Sequence, residues 1–177
     1  MTAITLRTLQ ENELDKIRQI DRAEEIPAIY VCDRGSLVLR QQPESVARFD
    51  PAELDAMIGK QVTLLREGGL VTGAFHADTL VGAVSVDRKK RGTLLQYCKM
   101  DILYVSKNFR GCKIGLRLLE SGKEAARSFG ARKLYISATP TKNTVDFYLN
   151  NGAVLTTELD KVLFEAEPLD IHLEMLI

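Results

Sequence analysis

The sequence predicts an α+β domain, an α/β sandwich in which a mixed, mostly antiparallel central sheet carries helices on both faces. Three observations lead there. Three strand-like stretches follow one another over residues 70–105 with only short turns between them, which is a meander. One strand–helix–strand unit follows over residues 97–138, and its long connection requires a parallel pair. The helical stretches each carry an apolar stripe that needs a sheet face to cover it.

The elements follow in chain order. "AITLRTL" alternates and reads as a first strand. "ENELDKIRQIDRAEE" puts Leu14, Ile17 and Ile20 on one helical face. Residues 26–49 are ambiguous, and Pro27, Gly35 and Pro43 are expected to break them into short pieces. In "DPAELDAMIGKQVTLLREGG", Asp50 caps a helix, Pro51 takes its first position and Glu53 completes a capping-box pattern. Leu54, Met57, Ile58 and Leu65 give that helix its buried face, and Gly68 and Gly69 stop it. "LVTGAFHAD" and "TLVGAVSVDRKK" meet in a hairpin turn at residues 77–79. After a basic turn over residues 88–92, "TLLQYCKMDILYVS" reads as a long strand. A loop and helix follow, then the strand "KLYISATP" and a short helix, "NTVDFYLNNG", ended by Gly152. "AVLTTEL" and "DIHLEMLI" read as closing strands.

The chain has 177 residues and reads as one domain, 1–177, without repeats or linkers. Basic and acidic residues balance at 24 each, which argues against a nucleic-acid partner. No apolar run approaches a membrane span, and the N-terminus has no signal-peptide core, so the expected location is cytoplasmic. Cys32, Cys98 and Cys112 form no C-x-x-C pair, and His76 and His172 are isolated, so no metal is expected.

The chemistry concentrates in "VSKNFRGCKIGLRLLE", where a strand ends, a basic loop with glycines follows and a helix begins near Ile114. A helix N-terminus presents unpaired N–H groups and the positive end of its dipole, and glycines before it allow a phosphate to approach. That is the layout of a pyrophosphate site. A P-loop would need Gly-Lys-Ser/Thr, and a dinucleotide fold would need G-x-G-x-x-G inside a βαβ run; neither is present. Cys112 lies at the helix start, but no histidine is near in sequence to act as its base.

The loop resembles the acyl-CoA loop of the GNAT acyltransferase superfamily, Arg/Gln-x-x-Gly-x-Gly/Ala after a strand ending in Leu-x-Val. "LYVSKNFRGCKIG" supplies Leu103, Val105, Arg110, Ile114 and Gly115 in register. "SATPTKNTVDFYLNNGA" resembles the family's second signature, a strand followed by a helix bearing Phe-Tyr and closing at glycine. Two departures stand out. Lys113 occupies the place of the family's first loop glycine, and Thr141 that of an asparagine that often contacts pantetheine.

The resemblance implies acetyl-CoA as cosubstrate, a primary amine as acceptor, and direct attack without a covalent acyl-enzyme. It implies that Leu103, Tyr104 and Val105 hold the pantetheine arm where the sheet splays. Arg110, Gly111, Cys112, Lys113, Ile114 and Gly115 would hold the pyrophosphate, with Lys113 offering its N–H from a helical φ. Asn143 either replaces the missing asparagine or caps the helix that carries Tyr148. Tyr148 would hydrogen-bond or protonate the leaving sulfur. Asp101 is either the proton acceptor for the amine or a partner for Lys99. A non-catalytic acyl-CoA-binding module on the same fold is the alternative function, and a homodimer is left open.

Overall fold

The computed structural model describes residues 3–177. Seven strands form one sheet: β1 (Ile4–Thr8), β4 (Leu70–His76), β5 (Thr79–Arg91), β6 (Tyr97–Val105), β7 (Lys133–Ala138), β8 (Val154–Leu155) and β9 (Ile171–Leu176). Their spatial order is β1-β4-β5-β6-β7-β9-β8. All pairs are antiparallel except β6 and β7, which are joined by the crossover helix α2 (Ile114–Ser128). The remaining helices are α1 (Pro51–Arg66), α3 (Lys142–Asn150) and α4 (Lys161–Ala166). The mixed α+β fold read from the sequence is the fold observed.

Two cores flank the sheet. On one side α1 and a 3₁₀ helix, Glu11–Gln19, bury Leu14, Ile17 and Leu64 against Val71, Leu80 and Ala83. The spacing of Leu14, Ile17 and Ile20 is three, which suits a 3₁₀ helix, and the helical turn ends there instead of continuing to Glu25. On the other side α2 packs Ile114, Leu118 and Ala125 against Val84, Met100 and Ile136. Gly122 makes that approach feasible, because a Cβ there would sit 3.3 Å from the Val84 side chain.

The ambiguous segment is a β-hairpin, not a set of short pieces. β2 (Glu24–Asp33) pairs antiparallel with β3 (Ser36–Val46) in a separate two-stranded sheet. Pro27 and Pro43 do not interrupt it, because both fall in a register shift between the pairs Ile26–Glu44 and Ala28–Gln41. A bulge is where a strand tolerates the missing N–H. The tip has positive φ at Arg34 and Gly35, the pattern of a tight hairpin turn.

Asp50 does cap α1, accepting from the N–H of Ala52 and Glu53, but the Glu53 carboxylate pairs with Arg22 and closes no capping box. The basic run is no free turn: β5 continues through Arg91, which is largely buried between Asp87 and Asp160. Only Val154 and Leu155 of "AVLTTEL" form a strand, and α4 follows with Leu163 against Tyr97 and Tyr135.

Candidate active site

The parallel pairing of β6 and β7 stops early. It runs from Tyr97–Lys133 to Met100–Ile136, while β6 continues to Val105 and β7 to Ala138. Beyond Met100 the two strands therefore separate and leave backbone groups of β6 without a β7 partner. A bulge lies at the fork. Ser85 pairs with Ile102 and Val86 with Met100, so Asp101 is the extra residue. It shifts the side-chain alternation: Met100 faces the α2 core, Ile102 the α1 core, and Leu103 the α2 core again.

The fork opens into a cleft of about 640 Å³. Asp101, Leu103, Tyr104 and Val105 line it from β6, and Arg110, Gly111, Lys113, Ile114 and Gly115 from the loop and the start of α2. Asn143 and Tyr148 line it from α3. Cys112 is exposed and does not line the cleft. Sequence reasoning missed Ser137 and Thr139, which face the cleft from the end of β7. Their signal was available, since residues after the last paired position of a crossover strand lie at the fork. It also missed Arg22 and Glu24, for which no local signal exists.

The loop is built around left-handed residues. Gly111 has φ +77 and Lys113, the residue before α2, has φ +60 and ψ 10. The expectation that Lys113 sits at a helical φ is thus corrected: it holds the conformation that suits the glycine it replaces. Its side chain makes no capping bond, so the first N–H groups of the 15-residue α2 are left for another acceptor. A left-handed non-glycine costs about 1–2 kcal/mol, and glycine loses part of that through unfolded-state entropy. Lys113→Gly should therefore stabilise the fold by about 0.5–1 kcal/mol, measurable by urea titration.

Arg110 lines the cleft, but its guanidinium also works as a clamp. Nε donates to the Val105 carbonyl (3.3 Å), Nη1 to that of Ala23 (3.2 Å) and Nη2 to that of Arg22 (3.0 Å). The strand end, the loop and the segment entering β2 are thereby tied together. Asn143 does not cap α3. Thr141 does, accepting from the Thr144 N–H at 3.3 Å, while Asn143 donates to Glu24 at 2.8 Å.

Tyr148 is buried on α3, next to Phe147 at 5.2 Å between ring centroids. Its hydroxyl has no protein partner among the described residues. Burial, and then the neighbouring Tyr104, pushes its pKa above the ordinary phenol value. A phenol so placed stays neutral and is a poorer proton donor than in water, so what it offers the cleft is a hydrogen bond.

Asp101 is held by three groups: Lys60 Nζ at 2.7 Å, Lys99 Nζ at 3.3 Å and Gln61 Nε2 at 2.8 Å. Burial alone would raise its pKa; Lys99 and the bonds from Lys60 and Gln61 outweigh that and leave it below the ordinary carboxylate range. Asp170 is the opposite case. Burial, and then Glu167, pushes its pKa up to about 6. The folded protein thus keeps a proton that the unfolded chain releases near pH 4. Asp170 therefore loses stability as pH rises from about 4 to about 6 and remains unfavourable above that. Asp170→Asn should stabilise the protein by about 1 kcal/mol near pH 7, allowing for solvent screening. It should give no such gain below about pH 4, as paired denaturant titrations would record.

Among the described residues no group of three or more His, Cys, Asp or Glu could hold a metal ion, and no helix is long and apolar enough to cross a membrane.

The family model for the acetyltransferase (GNAT) family matches residues 35–153. No curated protein sequence matches significantly. Several solved structures share the fold. The crystal structure of a nourseothricin acetyltransferase is 19% identical with a TM-score of 0.71, over 99% of both chains. A Bacillus anthracis strain Ames protein, assigned as a streptothricin acetyltransferase and solved with acetyl coenzyme A, is 14% identical with a TM-score of 0.73, over 99% of both chains. The PaiA N-acetyltransferase of Thermoplasma acidophilum, solved with coenzyme A, is 17% identical with a TM-score of 0.62, over 99% of both chains. At these identities the likeness speaks for the fold alone.

Proposed function

The chain belongs to the acetyltransferase (GNAT) family, and from that premise we propose that it transfers an acetyl group from acetyl-CoA to a primary amine by direct attack in a ternary complex. One observation carries this reading. The unpaired edge of β6 leads straight to the uncapped N-terminus of α2, and Tyr148 faces the same cleft. The fit to acetyl-CoA is chemical. A strand edge with free amide groups suits the pantetheine amides, as strand addition does for peptides. An uncapped helix N-terminus beside Gly111 suits a pyrophosphate.

Acetyl-CoA supplies the activated acetyl group as a thioester, and the residues of this chain do the rest. The free N–H groups of β6 between residues 101 and 105 donate hydrogen bonds to the thioester carbonyl oxygen as it gains charge. The Tyr148 hydroxyl, without a protein partner, donates a hydrogen bond to the departing sulfur. Its raised pKa favours hydrogen bonding over full proton transfer. Asp101 faces the cleft at the fork, where the amine would arrive. Lys60 and Lys99 lower its basicity, so it orients the amine, or a water between them, and passes the proton to solvent without storing it.

Incubation with acetyl-CoA and a panel of primary amines, with free CoA and acetylated product both measured, tests the proposal. Product should appear for at least one amine in step with CoA release. Tight acetyl-CoA binding without transfer to any amine would instead favour a binding module.

A further inference from the structure

The residues between the 3₁₀ helix and β2 are fixed to the cofactor loop by their backbone. Lys107 N–H donates to the Asp21 carbonyl at 2.8 Å, and Asp21 N–H donates to Ser106 Oγ at 3.1 Å. Arg110 holds the next two carbonyls, those of Arg22 and Ala23. The Arg22 side chain therefore leaves a rigid base.

Its guanidinium stacks over Phe49, 4.2 Å from the ring centroid. Phe49 in turn meets Tyr104 edge-on at 5.2 Å between centroids. Arg22 is thus one aromatic ring away from the strand that would hold the thioester, and it lines the same cleft. Only part of its hydrogen-bonding capacity is used. Nη2 pairs with Glu53 at 2.8 Å, Nε is buried without a partner, and Nη1 has no protein partner among the described residues. A guanidinium is shaped to take carboxylates on its fork, and a stacked, half-paired one is set up for a second anion.

The charges around it narrow the choice. Asp101 is already paired with Lys60 and Lys99. Glu24, two residues from Arg22, lines the cleft, accepts one bond from Asn143 and has no cationic partner among the described residues. Arg110 and Lys113 lie at the loop assigned to the pyrophosphate, so the rest of the wall offers a half-paired Arg22 and, in Glu24, an acid with no cationic partner among the described residues. A simple diamine would meet Arg22 unfavourably. A molecule with both an ammonium and a carboxylate matches the pair. The cleft of about 640 Å³ must also admit the pantetheine arm, which leaves room for a small acceptor.

We propose that the acceptor is a small amino acid whose carboxylate binds Arg22. The inference rests on the acetyltransferase reading above. Glu24 holds the incoming ammonium near the mouth before it loses its proton. The transfer then balances: the ammonium gives one proton to solvent, the N–C bond forms as the C–S bond breaks, and the second proton lost from nitrogen ends on the departing sulfur, so that CoA leaves as the thiol.

Matched acceptors test it: free amino acids, glycine and lysine among them, against their own carboxamides, with acetylated product measured by mass. The acids should exceed the amides in kcat/KM by about 10- to 100-fold, the range for one charge-assisted bond. R22Q should bring that ratio close to one without changing acetyl-CoA affinity, and R22K should restore part of it. Equal rates for acid and amide in the wild-type protein would overturn the inference, whatever R22Q does to folding. So would transfer to amides alone, or no transfer to any member by a protein that binds acetyl-CoA. Failure to bind acetyl-CoA at all would instead remove the transferase reading, and this inference with it.

Discussion

Tyr148→Phe should lower kcat by about 10²–10³-fold, the range for losing one hydrogen-bond donor to charge that develops in the transition state, while raising KM for acetyl-CoA far less. The hydroxyl has no protein partner to lose, so the change removes only what it offers to the cleft. That offer matters most as charge develops on sulfur, which places its contribution in the transition state. The ring remains packed beside Phe147 and within the core that includes Val145 and Ile136. Stability should therefore move by less than about 1 kcal/mol. Steady-state kinetics with a competent amine, paired with a thermal melt, checks both halves. An unchanged kcat would remove Tyr148 from the chemistry.

Arg110→Ala should weaken acetyl-CoA binding by about 10- to 100-fold, and the clamp is the larger reason. Truncation releases three carbonyl contacts at once, those to Val105, Arg22 and Ala23. Each is worth roughly 0.5–1.5 kcal/mol at an exposed site. The loop then loses its fixed position relative to β6, and binding must order it again. Arg110→Lys supplies the charge but not the fork, so it separates the two contributions. If position matters more than charge, the lysine variant binds nearly as poorly as the alanine one. Calorimetric titration of both variants measures this.

The parts of the site that lie on one continuous stretch were legible in the sequence. The strand, glycine loop and helix over residues 97–128 carry local signals, and so does the cap of α1 at Asp50. Three things were not legible, each for a physical reason. The bulge at Asp101 depends on how β5 and β6 meet, and strict alternation hides an inserted residue. The hairpin of β2 and β3 contains two prolines, which ordinarily argue against strands; here both occupy one register shift. The left-handed backbone of Lys113 reads as helix-compatible because lysine rarely adopts it. Arg22 belongs to the site through its backbone carbonyl, which accepts from the guanidinium of Arg110, a residue 88 positions away in sequence. No local pattern announces such a contact.

The central claim is that the fork between β6 and β7 and the uncapped start of α2 form an acetyl-CoA site. Isothermal titration of the whole protein with acetyl-CoA tests it most directly, with ATP as the control. The account predicts saturable binding of acetyl-CoA and a melting temperature that rises with ligand concentration. At about 100-fold excess over Kd the stabilisation should be about 2.7 kcal/mol. ATP should bind much more weakly, since the loop lacks Gly-Lys-Ser/Thr. No heat of binding and no thermal shift with millimolar acetyl-CoA would contradict the account.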